Sequence, residues 1–352
     1  MSENSTIGWT DATWPIVAGC EYESPGCSNC WAVRDSWRLA HNPHAKVREA
    51  FAGTVKKTDA GALVWTGVVR CLSERLDWPL KWRGAKRIFV CSQADLFHPK
   101  VPFEFIAAAF GIMAMAPQHT FQVLTKHARR MREFFEWIAA QQGGALSTCL
   151  WHARKAIGPE LANRFDPYHD LPEWPLENVW LGVTVEDQPR AQQRIPELLQ
   201  CPAEKRWLSV EPMLERVAIS IVTMKAADVL ANKGGLEGIF CAQSLAGDGH
   251  DVHLYDLRGI DWVVCGGESA QTRANTRPFN LQWARDLRDE CAKFMPPVAF
   301  FMKQLGTKPV DIGFDKATPT VEFDRPLGKS SRYKWHEPHH LPRDLQVQEF
   351  PA

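Results

Sequence analysis

Three cysteines near the start of the chain have the types and the spacing of metal ligands. Cys20, Cys27 and Cys30 give the pattern Cys-x6-Cys-x2-Cys, and Pro25 and Gly26 predict that the segment carrying them is a loop. Two cysteines separated by two residues can direct both thiolates at one ion or cluster, and the third can close the loop around it. The sequence therefore predicts a metal centre held by this loop.

Three thiolates fit more than one kind of centre. Structural zinc is held by four protein ligands, so a zinc site would need a fourth from His41, His44 or a distant cysteine. An iron-sulfur cluster bound by only three cysteines keeps one iron open to an external ligand, which makes the centre catalytic. Unligated thiols are the third alternative. The number of cysteines and their place after the first predicted strand favour the three-cysteine cluster.

The other seven cysteines are scattered singly and are interpreted as small core residues rather than as a disulfide framework. Cys91 and Cys265 need separate mention because each ends a predicted strand, where a thiol could donate a hydrogen atom to a radical. A buried structural thiol is the alternative interpretation of both.

The elements that must position these residues are short apolar strands that alternate with helices. Seven strands are predicted at residues 14–18, 87–91, 120–124, 179–183, 206–210, 261–265 and 298–302. Helices are predicted at residues 31–41, 102–115, 129–141, 189–200 and 281–293. This alternation predicts βα units and a buried parallel sheet. The expected fold class is α/β, a partial or elaborated (β/α) barrel with insertions.

Polar side chains follow nearly every predicted strand at its carboxyl end, the edge at which ligands bind in barrels and open α/β sheets. The candidate site residues there are Ser92, Asp95, Thr125, Lys126, Glu186, Ser209, Glu211, Glu268, Lys303 and Gln304. For any one of them, capping of the next helix is the alternative. The whole set favours one convergent site.

The composition is that of a globular protein with a large core. The 352 residues are 45% hydrophobic and 41 basic residues balance 41 acidic ones, which excludes disordered, collagen-like and coiled-coil classes. Zero net charge leaves only a local basic patch for nucleic acid, with the stretch from Lys126 to Arg132 as candidate and a solvated helix face as alternative. Without a run of about 18 apolar residues or a secretion signal, we expect a cytoplasmic protein that does not enter a membrane.

One domain with insertions accounts for the length. We expect residues 1–306 to form the barrel, with insertions near 42–84, 146–177 and 223–259, and residues 307–352 to form a C-terminal extension.

Seven segments between Gly8 and Gly306 are distinctive in combination. They are GWTDATWPIVAGCEYESPGCSNCWA, IFVCSQADLFHP, FQVLTKHARRM, NVWLGVTVED, RWLSVEPML, DWVVCGGES and FFMKQLG. Together they resemble the radical S-adenosylmethionine superfamily, and within it a phage-associated three-cysteine family. Most of the superfamily has the pattern Cys-x3-Cys-x2-Cys with an aromatic residue before the last cysteine. This chain departs from it in two ways: six residues separate Cys20 from Cys27, and Asn29 rather than an aromatic residue precedes Cys30.

The resemblance implies that Cys20, Cys27 and Cys30 hold a 4Fe-4S cluster whose fourth iron binds the amino and carboxylate groups of S-adenosylmethionine. An electron from a donor such as flavodoxin or ferredoxin would then release a 5′-deoxyadenosyl radical, which abstracts hydrogen from the substrate. By position, the cofactor-binding residues would be Ser92, Asp95, Thr125, Lys126, Glu186, Ser209 and Glu211. The later residues Glu268, Lys303 and Gln304 would be catalytic, at the substrate end of the site.

The phage association implies a modified nucleotide or DNA substrate, in the concrete case a glycyl-bearing thymidine of phage DNA in the host cytoplasm. The reaction would be a radical isomerisation within thymidine hypermodification. One rival is a zinc-stabilised protein that binds nucleic acid or a partner without catalysis. The other is a radical lyase that repairs DNA lesions and needs a thiol hydrogen donor, for which Cys91 and Cys265 are the candidates.

Overall fold

The computed structural model describes residues 4–165, 172–220, 222–225, 251–254, 259–269, 275–311 and 341–351. The chain divides into two compact units. The first comprises residues 1–183 and 200–206, and the second comprises residues 184–199 and 207–352.

The first unit is built on parallel strands in the order β1-β6-β7-β8. Its strands are β1 (Ala12–Trp14), β2 (Val17–Ala18), β3 (Val55–Lys57), β4 (Leu63–Trp65), β5 (Arg70–Cys71), β6 (Arg87–Val90), β7 (Thr120–Thr125) and β8 (Val179–Thr184, with its last residue in the second unit). Its helices are α1 (Trp31–Ala40), α2 (Ala45–Phe51), α3 (Trp78–Lys81), α4 (Phe103–Ala114), α5 (Ala128–Ala139), α6 (Ala145–Ile157) and α7 (Pro159–Ala162). Short 3-10 turns lie at Pro25–Cys27, Ser73–Arg75 and Asn163–Phe165.

The first predicted strand, at residues 14–18, was wrong in its bounds. The parallel strand β1 ends at Trp14, and Val17 pairs with Cys71 in the antiparallel pair of β2 and β5. The physical reason is Pro15, which has no N–H to donate to a neighbouring strand. The break turns the chain just before the predicted metal loop.

Helix α6 lies in the segment expected as an insertion at residues 146–177, where no helix was predicted. It packs closely against α4 because Gly111 has no side chain: a Cβ there would lie 2.2 Å from the carbonyl oxygen of Cys149. Helix α6 therefore helps to bury α4, nine of whose twelve residues are shielded from solvent. Residues 166–171 of this segment lie outside the described residues.

Residues expected as the first insertion, 42–84, form a small lobe with the helix that precedes them. We call α1, α2, β3 and β4 the α1–α2 lobe. Helix α1 packs against α2 and against the β3–β4 hairpin. Ala50 and Phe51 of α2 are buried against Ala18 and Leu72, with Leu39 of α1 beside them.

The second unit contains parallel strands in the order β9-β12-β14. Its strands are β9 (Lys205–Val210, with its first two residues in the first unit), β10 (Val222–Lys225), β11 (Asp251–Leu254), β12 (Trp262–Gly266), β13 (Phe279–Asn280), β14 (Ala299–Gln304) and β15 (Pro309–Val310). Its helices are α8 (Gln188–Leu199) and α9 (Leu281–Cys291), and a 3-10 turn lies at Arg343–Leu345. Most of the predicted 223–259 insertion and residues 312–340 of the predicted extension lie outside the described residues.

The free edge of β14 is covered by a segment from the end of the chain. Met302 donates a backbone hydrogen bond to Val347 at 2.8 Å, and Glu349 donates one to Phe300 at 3.0 Å. Trp262 anchors the segment from the neighbouring strand by donating from Nε1 to the carbonyl oxygen of Glu349 at 2.8 Å. Edge strands covered in this way cannot pair with another chain.

Parallel strands alternating with helices confirm the mixed α/β class, and the arrangement is compatible with a partial (β/α) barrel. The five predicted helices match α1, α4, α5, α8 and α9, each within two residues at either end. Within the described part of the chain, no helix combines the length and the apolar character that a membrane crossing requires.

Candidate metal centre

The cysteine loop, residues 19–30, joins β2 to α1. Gly19 opens it with φ +86°, and a Cβ there would lie 2.0 Å from the carbonyl oxygen of Val68. A 3-10 turn ends at Cys27, whose carbonyl oxygen accepts from the backbone N–H of Cys30 at 3.2 Å. Cys30 is the N-cap residue of α1. These turns place two of the three cysteines together at the start of the helix.

All three cysteines of the loop are free, and each is partly exposed. Burial raises the pKa of the Cys20 thiol, and the charges of Asp95, Cys30 and Cys27 raise it further. Burial also raises the pKa of the Cys30 thiol, whereas the backbone amide of Ala32 lowers it. The three sulfurs are therefore close enough to interact electrostatically.

A single metal ion and an iron-sulfur cluster place different demands on the positions of these residues. Among the described residues, no set of three or more His, Cys, Asp and Glu side chains surrounds one point closely enough to hold a single ion. The ring nitrogen Nδ1 of His41, a predicted fourth zinc ligand, lies 2.8 Å from the carbonyl oxygen of Trp37. A cubane cluster binds each thiolate to a different iron, so its three sulfurs need not converge on one point. Three free thiols on one partly exposed loop fit such a cluster.

Asp95 lies at the centre of the polar groups that follow β6 and β7. Its Oδ1 accepts from Thr125 Oγ1 at 2.7 Å and from the backbone N–H of Phe97 at 2.9 Å. Its Oδ2 accepts from the backbone N–H of Lys126 at 2.8 Å. Both oxygens of this buried carboxylate are thus engaged within the protein. The structure therefore gives Asp95 a positioning role between the two loops.

Two more predicted residues contact this carboxylate, and a third lies in the loop that carries it. Thr125 is buried and also accepts from the backbone N–H of His127 at 2.8 Å. The positive charge of Lys126 lowers the pKa of Cys30. Ser92 is half-buried in the loop after β6. The structure thus brings Asp95, Thr125 and Lys126 together beside the cysteine loop.

Two carboxylates of the cysteine loop face histidines, an arrangement that the sequence analysis missed. Glu21 Oε1 lies 3.4 Å from Nε2 of the fully buried His98, and Glu23 Oε2 lies 3.6 Å from Nδ1 of His127. The two histidine rings are 5.5 Å apart. Burial lowers the pKa of His98, and Glu21 opposes that effect. These contacts tie the loop to the segments after β6 and β7, and no short sequence motif signals them.

In the second unit, Glu211, Lys303 and Gln304 form a separate polar group at the ends of β9 and β14. Lys303 Nζ lies 2.8 Å and 2.6 Å from the two oxygens of Glu211, and Gln304 Nε2 donates to Oε1 at 2.5 Å. Gly266 lies beside them, since a Cβ there would be 3.3 Å from the carboxylate. The structure brings these three predicted residues together.

Glu268 is held differently from Glu211. It is buried, and both of its side-chain oxygens accept hydrogen bonds from Arg277. The preceding Gly267 packs against backbone, because a Cβ there would lie 2.3 Å from the carbonyl oxygen of Leu305. The glycine pair therefore serves close packing of the chain at this point.

Glu186 and Ser209 are both buried in the second unit. Glu186 is fully buried, and its Oε2 accepts from Arg194 Nη1 at 2.7 Å. The same Arg194 atom donates to the carbonyl oxygen of Thr184 at 2.8 Å. The ion pair with Arg194 therefore engages Oε2 of this carboxylate inside the protein. The backbone carbonyl of Ser209 accepts from the N–H of Val185 at 2.8 Å.

The two candidate hydrogen-donor thiols are both buried. Cys91 follows β6 in the left-handed region with φ 57°, and burial raises its pKa. Cys265 lies within β12, 3.8 Å from the sulfur of Met213, and burial raises its pKa as well. Both thiols therefore remain protonated at neutral pH.

The predicted basic stretch at Lys126–Arg132 is largely engaged by its own helix, α5. Arg129 lies 3.0 Å from Glu133, and Arg132 pairs with Glu136. Arg130 donates to the carbonyl oxygen of Val101 at 2.8 Å and lies over the Phe103 ring. The alternative interpretation, a solvated helix with internal ion pairs, fits these contacts.

Comparison with known proteins adds a family but no activity. No curated protein matches the chain, and no solved structure matches it. A family model with the description "Protein of unknown function (DUF5131)" matches residues 4–331, so the chain belongs to the DUF5131 family.

Proposed function

We propose that the protein is a radical S-adenosylmethionine enzyme whose 4Fe-4S cluster is held by Cys20, Cys27 and Cys30. The observation that carries this proposal is the position of three free thiols on one loop, within electrostatic reach of Asp95 and Lys126. Those two residues follow β6 and β7, which are parallel neighbours, so the thiols lie near the carboxyl edge of the strands.

The residues around the loop support a cluster over zinc. The carboxylates of the loop, Glu21 and Glu23, face His98 and His127, so they are engaged rather than available as a fourth zinc ligand. Cys30 lies at the N-terminus of α1, where burial raises the pKa of its thiol and the backbone amide of Ala32 opposes that effect by stabilising the thiolate. A three-thiolate loop that leaves one metal position open is the arrangement that a catalytic centre needs.

The chemistry that the bound cluster supplies is transfer of one electron to S-adenosylmethionine, which releases methionine and a 5′-deoxyadenosyl radical. The chain's own residues orient the ligands. Asp95 fixes the backbone of Lys126, whose ammonium group suits the carboxylate of S-adenosylmethionine. Ser92 offers a hydroxyl in the loop after β6, whereas the Thr125 hydroxyl is engaged by Asp95 and by the backbone of His127. Both stay predicted contacts of the cofactor. Glu186, Ser209 and Glu211 stay predicted contacts of the cofactor, and Glu268, Lys303 and Gln304 stay predicted catalytic residues.

The test is anaerobic reconstitution of the full chain with iron and sulfide, followed by reduction with dithionite in the presence of S-adenosylmethionine. We expect about four irons per chain and formation of 5′-deoxyadenosine, measured by mass spectrometry. Cys20→Ala, Cys27→Ala and Cys30→Ala should each abolish both. Cys71→Ala is the matched control, because Cys71 is also a free, partly exposed thiol of the first unit. A colourless protein with one zinc per chain would overturn the proposal in favour of a zinc-stabilised binding protein.

For the substrate, we propose a glycyl-bearing thymidine nucleotide or DNA that undergoes radical isomerisation, with flavodoxin or ferredoxin as donor in the host cytoplasm. Hydrogen abstraction at the glycyl α-carbon is favoured because the adjacent nitrogen and carboxylate stabilise the resulting radical. Product analysis after incubation with glycyl-modified thymidine tests this step. An unchanged substrate, together with robust 5′-deoxyadenosine formation, would exclude it.

The lesion-repair lyase is retained as a second candidate because Cys91 and Cys265 keep their thiols protonated, as a hydrogen donor requires. Cys91→Ala and Cys265→Ala distinguish the two reactions. An isomerase should keep its turnover in both variants, whereas a lyase should lose turnover in the variant that lacks the donor while still cleaving S-adenosylmethionine.

A further inference from the structure

Helix α1, which begins directly after Cys30, has one face that is exposed to solvent. Trp31, Arg34, Arg38 and His41 are all exposed, and their spacing of three, four and three residues places them in one stripe along the helix. The opposite face of α1 is buried through Ala32, Val33 and Ser36. The exposed stripe therefore extends from the cysteine loop along the outside of the α1–α2 lobe.

Two large aromatic side chains of this region are exposed to solvent. Tyr22 is 61% exposed and lies in the cysteine loop, and Trp31 is 45% exposed and follows its last cysteine. By contrast, Trp14, Trp207 and Trp262 are completely buried. Covering an exposed aromatic ring lowers the free energy, and a nucleic-acid base can cover such a ring by stacking on it.

The lobe also carries a net positive charge within a neutral chain. Residues 31–66 contain six Lys or Arg and three Asp or Glu, a net charge of +3, whereas the whole chain has a formal net charge of +0. Arg34, Lys46, Lys56 and Lys57 are exposed, and none of them has an ion-pair partner among the described residues. The predicted stretch on α5 differs, because Arg129 and Arg132 there pair with neighbouring carboxylates.

We infer that the exposed stripe of α1 and the cations of the lobe bind a single nucleic-acid strand, with bases stacked on Trp31 and Tyr22. Surfaces that bind a single strand combine two components. Unpaired cations follow the phosphate backbone, and exposed aromatic rings stack against the bases. An acidic protein would satisfy the cations, but it would not by itself call for two exposed aromatic rings beside the cysteines. The inference rests on the proposed function, because it names nucleic acid as the class of substrate on which the proposed enzyme acts.

The experiment measures binding of a fluorescent single-stranded oligonucleotide to the full chain by anisotropy, over a series of salt concentrations. Trp31→Ala should weaken the affinity about tenfold, because a stacked base loses its aromatic partner. Arg34→Ala combined with Lys56→Ala should weaken it and reduce the slope of log affinity against log salt by about 0.7 for each phosphate that is no longer neutralised. The matched control is Arg129→Ala combined with Arg132→Ala, which removes the same charge from α5 and should leave binding unchanged.

Binding that is equal in wild type and in the α1–α2 lobe variants, or equally weakened by the α5 control, would overturn the inference. So would an absence of oligonucleotide binding combined with tight, lobe-dependent binding of a flavodoxin, which would make the surface a docking site for the electron donor. The assay needs no cluster, so it is separable from the proposed function. Formation of 5′-deoxyadenosine without oligonucleotide binding defeats this inference alone, and the reverse result defeats only the radical proposal.

Discussion

Thr125 donates a hydrogen bond from Oγ1 to Oδ1 of Asp95 at 2.7 Å, and this contact joins the loops that follow β6 and β7. The same carboxylate accepts from the backbone of Lys126 at 2.8 Å. Residues 30 positions apart are thus locked together beside the cysteine loop. The role of Asp95 is to fix the position of its neighbours, which makes it testable through stability as well as activity.

Asp95→Ala should lower the free energy of unfolding by about 3 kcal/mol, because the buried N–H groups of Phe97 and Lys126 lose their acceptor. Urea denaturation followed by circular dichroism measures this change. Asp59→Ala is the control, since Asp59 is exposed in the β3–β4 hairpin. A difference between the two variants of less than about 0.5 kcal/mol would contradict the positioning role, because surface substitutions already vary by that amount.

Gly19→Ala should disturb the cysteine loop far more than a typical substitution of a glycine with positive φ. The new Cβ would lie 2.0 Å from the carbonyl oxygen of Val68, so the backbone must move. We expect a loss of at least about 3 kcal/mol in stability and reduced iron binding after reconstitution.

Gly84→Ala isolates the backbone effect, because Gly84 has φ +71° but no atom within 4 Å of the added Cβ. It should cost only about 1 kcal/mol. Iron content and urea denaturation are measured for both variants. Equal stability and equal iron binding in the two would show that the close approach of Gly19 to Val68 is unimportant.

Arg194→Ala should destabilise the protein by about 3–5 kcal/mol, since it leaves the fully buried Glu186 carboxylate without its partner. Arg190→Ala, which removes a partly exposed arginine paired with Asp187, should cost less than about 1 kcal/mol. Thermal and urea denaturation report both. If Arg194→Ala is no worse than Arg190→Ala, then the Glu186 carboxylate is reachable by solvent and remains open to a cofactor.

His119 should make the protein less stable in mild acid. Burial lowers its pKa below the usual 6.5, an effect that its hydrogen bond to Pro79 opposes. Because the unfolded chain then binds the proton more readily, the contribution of His119 is fully present above pH 6.5 and is lost as the pH falls toward the folded pKa.

His119→Gln should therefore reduce the loss of stability between about pH 7.5 and about pH 5, measured by urea denaturation at both pH values. The glutamine amide can still donate to the carbonyl oxygen of Pro79. Substitution of the exposed His41 by Gln is the control. Part of the pH dependence should persist in His119→Gln, because His98 and His152, whose pKa values are also lowered, remain in place. An unchanged pH dependence would contradict the burial argument.

Local patterns predicted the regular elements well, because strand and helix periodicity are recorded in neighbouring residues. Pro102 is the N-cap residue of α4, and the helix begins at Phe103, one residue after the predicted start. Pro15 was visible in the sequence, but its effect on the first strand depends on Val17 finding a partner in Cys71. Helix α6 was missed because its stability depends on a close contact with Gly111 of α4, which no local pattern records.

In the candidate site, too, the sequence predicted which residues meet but not which of their side chains are engaged. Its parallel strand ends bring Asp95 near Thr125, and Glu211 near Lys303, as polar residues after neighbouring strands are expected to meet. Which of these groups is engaged within the protein was not predictable. The partner of Glu268, Arg277, lies on a loop whose path depends on tertiary structure.

The segment at residues 347–349 that covers β14 has a consequence for synthesis of the protein. The ribosome makes β14 well before it makes Val347, so the nascent chain carries an unpaired strand edge until residues 347–349 have been made. During that interval the edge is open to chaperones and to neighbouring nascent chains. Slow codons between β14 and residue 347, or truncation before that residue, should therefore favour aggregation during translation.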